Sequence, residues 1–219
     1  MQIVPGINCT DSICVASHLE KIKEMFDSVS NKENWVHIDV ADGSFTDGYQ
    51  TWQNFTDLQK LPIGDLKIEI HLMVNQPELL ASQWCQAGID RLIFHLETTT
   101  QIEPIRKICQ SQGVDPMLAI NSETKVAQAL PYLKQIQSVQ LLTVPPGQSG
   151  QEFNPNTISK IRELKIALPG IFIEVDGGIN SQTARECLEA GADQLAVTST
   201  IFSNEDPVAM FKELTEITL

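Results

Sequence analysis

Residues 171–199 read IFIEVDGGINSQTARECLEAGADQLAVTS, and this stretch decides the fold. A β-branched, apolar run over 171–175 ends in Asp176-Gly177-Gly178, a turn signal after a short buried strand. Asn180-Ser181 then offers side-chain oxygens to the free N–H groups that open a helix over 181–190. Ala190-Gly191 stops that helix, because glycine readily takes the left-handed conformation that closes a helix C-terminus. A second apolar run follows at 194–197. Strand, helix and strand within about 30 residues make one βαβ unit, with parallel strands and a right-handed crossover.

The same alternation extends outward from this unit. Further strands are expected over 2–7, 35–40, 66–73, 91–94, 116–120 and 138–144. Helices are expected over 16–26, 77–87, 102–112, 124–133, 157–168 and 206–216. Pro77 suits the first turn of its helix, where a missing N–H costs nothing, and Ala87-Gly88 closes it. Eight strands alternating with helices, and no G-x-G-x-x-G after the first, predict an α/β fold. The form expected is a single (β/α)8 TIM barrel spanning residues 1–219, with no linker and no second domain.

Composition narrows the partners. The 219 residues hold 15 Lys+Arg against 28 Asp+Glu, a formal net charge of −13, and 42% are hydrophobic. No basic stripe exists to track a phosphate backbone, so nucleic acid is excluded as a partner. The acidity likewise argues against an anionic membrane surface, and no run of ~18 apolar residues exists to span a bilayer. Without a basic and apolar leader, a cytoplasmic location is expected. Cys9, Cys14, Cys85, Cys109 and Cys187 are scattered without a C-x-x-C, which reads as free, mostly buried thiols in a reducing compartment. A small anionic ligand remains compatible, provided that its site supplies local donors.

Barrel sites stand at the C-terminal ends of strands. The second strand ends Trp35-Val36-His37-Ile38-Asp39, and a spacing of two puts His37 and Asp39 on one face. The third ends Glu69-Ile70-His71-Leu72-Met73, and the seventh ends Glu174-Val175-Asp176. Taken singly, these are equally a structural His–Asp pair, a hydrogen-bonded core histidine and a turn aspartate. Together, two imidazoles and two carboxylates at strand ends suit one divalent ion. Zn is satisfied by the four, while Fe, Mn or Co would take further ligands. His95, in Phe94-His95-Leu96-Glu97, receives no role, and His18, beside Glu20 and Lys21 on a helix, reads as surface. The loops Pro145-Pro146-Gly147-Gln148-Ser149-Gly150-Gln151, Gly177-Gly178 and Thr198-Ser199 are either mobile connectors or a phosphate cradle of backbone N–H groups.

A set of segments runs in order through the chain: His37-x-Asp39-x-x-Asp42-Gly43, Glu69-x-His71-Leu72-Met73-Val74, Phe94-His95-x-Glu97, Pro146-Gly147-x-x-Gly150-Gln151-x-Phe153, Val175-Asp176-Gly177-Gly178, Ala190-Gly191-Ala192-Asp193 and Ser199-x-Ile201-Phe202. Together they resemble the ribulose-phosphate 3-epimerase family over nearly the whole length. The resemblance implies one divalent metal ion held by His37, Asp39, His71 and Asp176, with Asp39 and Asp176 as the acid/base pair. It implies a small phosphorylated ketose as substrate, most simply D-ribulose 5-phosphate turned to D-xylulose 5-phosphate, with a hexulose 6-phosphate as the nearby variant. Substrate and phosphate contacts are implied for Gly6, His71, Met73, Gly147, Gln148, Ser149, Gly150, Gly177, Gly178, Thr198 and Ser199, and a homo-oligomer is expected.

The chain also departs from that family's pattern. The Ser after the first Pro is Gly6, two site methionines are Ala41 and Leu142, and the Gly-Ser after the eighth strand is Thr198-Ser199. The usual Asn-Pro-Gly-Phe-Gly-Gly reads Pro145-Pro146-Gly147-Gln148-Ser149-Gly150. These changes raise a second reading, a sugar-phosphate binder that has lost turnover. A phosphosugar decarboxylase is disfavoured, because the Asp-x-Lys-x-x-Asp of that group reads His37-x-Asp39-x-x-Asp42.

Overall fold

The computed structural model describes residues 2–29 and 33–217, in which eight parallel strands close into a barrel in sequence order. The strands are β1 (Gln2–Ile7), β2 (Trp35–Ala41), β3 (Lys67–Met73), β4 (Arg91–His95), β5 (Asp115–Ile120), β6 (Ser138–Leu142), β7 (Phe172–Asp176) and β8 (Gln194–Val197). Around them lie α1 (Ser12–Asp27), α2 (Ala81–Gln86), α3 (Ile102–Ser111), α4 (Val126–Ile136), α5 (Asn156–Ala167), α6 (Ser181–Ala190), α7 (Ser199–Phe202) and α8 (Pro207–Ile217). The (β/α)8 barrel read from the sequence is the fold observed.

Alternation along each strand divides the molecule into two interiors. Outward residues such as Val36, Ile38, Val40, Ile68, Ile70 and Leu72 share one apolar cluster with Leu19, Ile105, Leu164 and Phe211 of the helices. Complete burial of side chains of this size is worth about 1.5–3 kcal/mol each, and this layer supplies most of the driving force for folding. Inside the barrel, by contrast, Ile93, Met117 and Ala119, with Phe172 against them, form a small apolar patch. The remaining inward positions include His37, Glu69, His71, His95, Gln140 and Glu174, all fully buried.

Local chemistry moves several helix ends. α1 begins at Ser12, earlier than the apolar period suggests, because the Asp11 carboxylate accepts the N–H groups of Ile13 and Cys14 at 2.9 Å each. The expected helix over 77–87 splits into a 3-10 turn, Pro77–Leu79, and α2. α4 runs on to Ile136 despite Pro131, which removes a single donor while Leu133 and Ile136 keep the buried face intact. It ends where Gln137 turns left-handed, at φ 62°.

Two expectations about β1 and α1 are corrected. Cys9 and Cys14 form a disulfide, because the end of β1 and the first turn of α1 bring their Cα atoms to 5.8 Å, a separation that disulfides favour. Cys85, Cys109 and Cys187 are free and buried, as expected. His18, expected at the surface, is half-buried and makes contacts of its own. Its Nδ1 lies 3.6 Å from each of the Cys9 and Cys14 sulfurs, and its ring centroid is 4.2 Å from that of Phe202. It flanks the buried stripe of Val15, Leu19 and Ile22, which carries it against the end of the barrel. No helix among the described residues is long and apolar enough to cross a membrane.

The pairing is open to a simple count. Of the five cysteines, three should titrate with a chromogenic thiol reagent in denaturant, and all five only after reduction. Five reactive thiols before reduction would contradict the disulfide.

Candidate active site

The outward apolar positions of β2 leave His37 and Asp39 facing the barrel axis, and the β2–β3 register sets Asp39 beside His71. The last residue of β7, Asp176, pairs with Leu142 of β6 and Ala196 of β8, which brings its carboxyl to the same end of the barrel. Ligand atoms of His37, Asp39, His71 and Asp176 all lie within 4.8 Å of one another. Asp39 Oδ1 is 3.2 Å from His37 Nε2 and 3.1 Å from His71 Nδ1. Asp176 Oδ2 is 3.8 Å and 3.5 Å from the same two nitrogens. A tetrahedron with zinc-like bonds of about 2.0–2.1 Å has edges of about 3.3–3.4 Å, so this N2O2 cage fits a divalent ion.

Each imidazole is braced on its outer nitrogen. His37 Nδ1 lies 2.8 Å from Glu69 Oε1, and His71 Nε2 lies 2.8 Å from His95 Nε2. His95 Nδ1 is in turn 3.3 Å from Glu97 Oε2. Glu97 also accepts the Asn121 N–H at 2.9 Å and the Thr124 hydroxyl. Such outer partners fix which ring nitrogen is left to bind a metal. The sequence assigns no role to His95 or Glu97, although both stand in the Phe94-His95-x-Glu97 segment, since a ring-to-ring contact between β3 and β4 leaves no mark in either strand alone.

The charges follow from burial set against bonding. Burial opposes a charged His37 ring, but bonds to Asp39 and Glu69 outweigh it and hold the ring well above its ordinary pKa. His71 is raised in the same way by Asp176 and Asp39. Asp39 is lowered, because bonds from the two rings outweigh its own desolvation. Burial pushes His95 down, so a neutral N–H, not a positive ring, reaches Glu97. Despite burial, the bonds Glu97 accepts hold its carboxyl at about 2.

Above the cage opens a cleft with about 460 Å³ of empty space. Asp39 and Asp176 reach it, while His37 and His71 are completely buried beneath. Met73 and Leu142 line it, together with Gly147, Gln148, Ser149, Gly150, Gly177, Gly178, Thr198 and Ser199 from the loops. No Lys or Arg is among the lining residues. Gly178, at φ +63°, lies so close to the 151–155 segment that a Cβ would stand 2.6 Å from Phe153 Cα. Only glycine lets these two loops meet. Gln151 Nε2 braces the outer loop by donating to the carbonyls of Pro145 at 2.8 Å and Gln148 at 2.7 Å.

Two features of the cleft were not legible beforehand. Asn8 lines it, donating from Nδ2 to Asp39 Oδ2 at 2.8 Å and to the Gly147 carbonyl at 3.0 Å, while its Oδ1 accepts the Tyr49 hydroxyl at 2.5 Å. A lone Asn after a strand carries no signal of that role. Gly6 does not itself line the cleft, because Thr198 covers it, and a Cβ at Gly6 would collide with Thr198 Oγ1. The β1–β8 register explains this, since Val4 pairs with Ala196 and the next inward residues are Gly6 and Thr198.

Comparison with known proteins agrees with this geometry. A family model described as the ribulose-phosphate 3 epimerase family matches residues 8–202. The ribulose-phosphate 3-epimerase of Chlamydia muridarum is 32% identical over 209 residues, covering 93% of this chain and 89% of the relative. That of Bacillus subtilis is 27% identical over 219 residues, covering 98% of each. Among solved structures, a 3-hexulose-6-phosphate synthase superposes with a TM-score of 0.74 at 15% identity over the whole of both chains. An orotidine 5'-monophosphate decarboxylase from Sulfolobus solfataricus gives 0.66 at 13% identity, over 99% of this chain and 97% of that one. At such identities these two likenesses are of fold alone. The family match, in contrast, takes in the four-residue cage and the loops after β6, β7 and β8, and the chain belongs to the ribulose-phosphate 3-epimerase family.

Proposed function

We propose that this chain is a metal-dependent epimerase that inverts C3 of a ketose phosphate, most simply interconverting D-ribulose 5-phosphate and D-xylulose 5-phosphate. The observation that carries this reading is the pair Asp39 and Asp176, which reach one cleft from β2 and β7 across the wall made by β1 and β8. Epimerisation beside a ketone needs a proton removed from one face of a carbon and another delivered to the opposite face. Two carboxylates on either side of the substrate supply both without any moving base. Asp39, held ionised by the two rings and oriented by the Asn8 amide, suits the role of base in one direction. Asp176 then serves as acid, and the roles exchange in reverse.

His37, Asp39, His71 and Asp176 are the residues that would hold the ion, with Zn, Fe, Mn or Co all compatible. When bound, a divalent ion there supplies the positive charge that stabilises an enediolate. Met73 offers a polarizable apolar wall that excludes water from the sugar plane. Since no cationic side chain lines the cleft, the phosphate falls to backbone N–H groups of the 147–150, 177–178 and 198–199 segments.

The departures that suggested lost turnover read differently in space. A side chain missing at Gly6 is matched by one added at Thr198, and the added hydroxyl stands where a Gly6 side chain would begin. This reciprocity favours an adapted cradle over a decayed one.

Metal-loaded protein given D-ribulose 5-phosphate in D2O should place deuterium at C3, and Asp176→Asn should lower turnover by about 10²–10⁴-fold. If no ketose phosphate in a panel exchanges at C3, the enzymatic reading fails. Because the cage holds its rings protonated, titrating Zn2+ into weakly buffered metal-free protein should acidify the solution. The sign follows: affinity falls as pH falls, since the ion must displace protons from rings whose pKa is raised. Affinity that is flat from pH 8 to pH 5.5 would contradict the cage. For the β1–β8 wall, Gly6→Ser alone should raise KM at least about tenfold by collision with Thr198, while Gly6→Ser with Thr198→Gly should recover most of the loss. Additive losses in the double variant would show that the two positions are not exchanged.

A further inference from the structure

Beneath the four-residue cage lies a second polar cluster that the proposed reaction does not use. His37, Glu69 and Glu174 also bring ligand atoms within 4.8 Å of one another. His37 therefore belongs to two carboxylate sets, one facing each ring nitrogen. Nε2 faces Asp39 at 3.2 Å and Asp176 at 3.8 Å, while Nδ1 faces Glu69 at 2.8 Å and Glu174 at 3.8 Å. With two sets competing for one ring, something must decide which of them a metal ion joins.

The lower set already has a cation. Arg91, the first residue of β4, donates from Nη1 to Glu69 Oε2 at 2.7 Å and to Gln194 Oε1 at 2.9 Å, and stands 3.8 Å from Glu174 Oε2. It is 8% exposed, with its guanidinium 4.2 Å from the Trp35 ring centroid and 5.2 Å from that of Phe172. Arginine keeps its charge even when buried, and two aromatic faces hold its planar fork in place. On the far side, Gln140 Nε2 donates to Glu174 Oε1 at 3.0 Å. A fixed guanidinium thus sits where a second ion would otherwise compensate Glu69 and Glu174.

We infer that Arg91 is a positioning residue for the metal centre, acting through Glu69 on the ring of His37. The Arg91–Glu69 ion pair makes Glu69 a fixed acceptor for the His37 Nδ1–H, and this leaves Nε2, facing Asp39 and Asp176, as the nitrogen that would give up its proton to an ion. The same guanidinium closes the lower carboxylates to the ion. Outer-sphere partners of this kind are worth about 10–100-fold in metal affinity. The inference rests on the metal reading above.

The test titrates Co2+ into the 219-residue chain and follows its visible absorption, with a melting curve for each variant. Arg91→Met should weaken Co2+ binding about ten- to a hundredfold, and Arg91→Lys, which restores the cation, should recover most of it. In the Zn2+-loaded wild type, the buried His37 Nδ1–H should give a slowly exchanging downfield proton resonance, which Arg91→Met should shift or abolish. A purely structural role would lower the melting temperature without moving that resonance. Should Arg91→Met fail to fold, Glu69→Gln, which keeps the volume and removes the charge that Arg91 meets, carries the same comparison. Binding by folded variants within twofold of wild type, with the resonance unmoved, overturns this inference alone. A wild-type chain that takes up neither ion overturns the metal reading, and this inference with it.

Discussion

A fully buried imidazole facing Glu69 on one nitrogen and Asp39 on the other sets the terms for the barrel interior. Closing eight parallel strands leaves little room for water at the axis, and an unpaired carboxylate there would cost many kcal/mol. Four carboxyl groups nevertheless point inward, from Asp39, Glu69, Glu174 and Asp176. The structure answers with two rings, one guanidinium and one retained proton. Burial and the neighbouring Glu69 push Glu174 well above the usual carboxylate range, so it keeps its proton, while Glu69, bonded to His37 and close to Arg91, is lowered. Such a core is poor as a source of stability. The helices and the outward strand faces supply that, which frees the axis for charge.

The two histidines are mounted differently, and the difference follows from where their strands stand. His37 reaches the cage through Nε2 and is braced from below by Glu69 on the adjacent strand. His71 reaches it through Nδ1 and is braced laterally by His95, one strand further round. Neither ring can turn without breaking a buried hydrogen bond at its other nitrogen. The cage is therefore rigid before any ligand arrives, which is what a site with little reorganisation during reaction requires. In an acidic chain with a net charge of −13, an anionic ligand needs donors that act locally where the global field would repel.

Much of this was legible in the residues, and the limits have a physical source. The βαβ period follows from apolar runs and helix caps, both local features, and the barrel follows from their repetition. His37, Asp39, His71 and Asp176 were found because strand periodicity and strand ends suffice to place them. Arg91 was not, because its meaning lies in Glu69, 22 residues away, and in Gln194, 103 residues away. A charged residue opening a strand reads as surface until closure of the sheet places it inside. The Cys9–Cys14 disulfide failed for a related reason: composition speaks for the chain as a whole, while one helix start, capped by Asp11, brings this particular pair together.

Barrel topology also explains why the residues at positions 6 and 198 bear on one another. In the ring of strands, β1 and β8 lie between β2, which carries Asp39, and β7, which carries Asp176. The inward residues at the top of β1 and β8 therefore form the stretch of wall between the two carboxylates, and a substrate placed between those acids must lie against it. Only one side chain fits there, since a Cβ on Gly6 and the hydroxyl of Thr198 compete for the same volume. Whichever strand carries the side chain, the wall keeps a similar thickness, but the polar group approaches the substrate from a different side. Here it comes from β8, beside Ser199 and the start of α7, with no partner among the described residues for the Thr198 hydroxyl. The spacing between the two acids is set by the barrel and is hard to change, whereas the polarity of the wall between them depends on which of two positions carries the side chain, because one at position 6 fits only where Thr198 gives up its own.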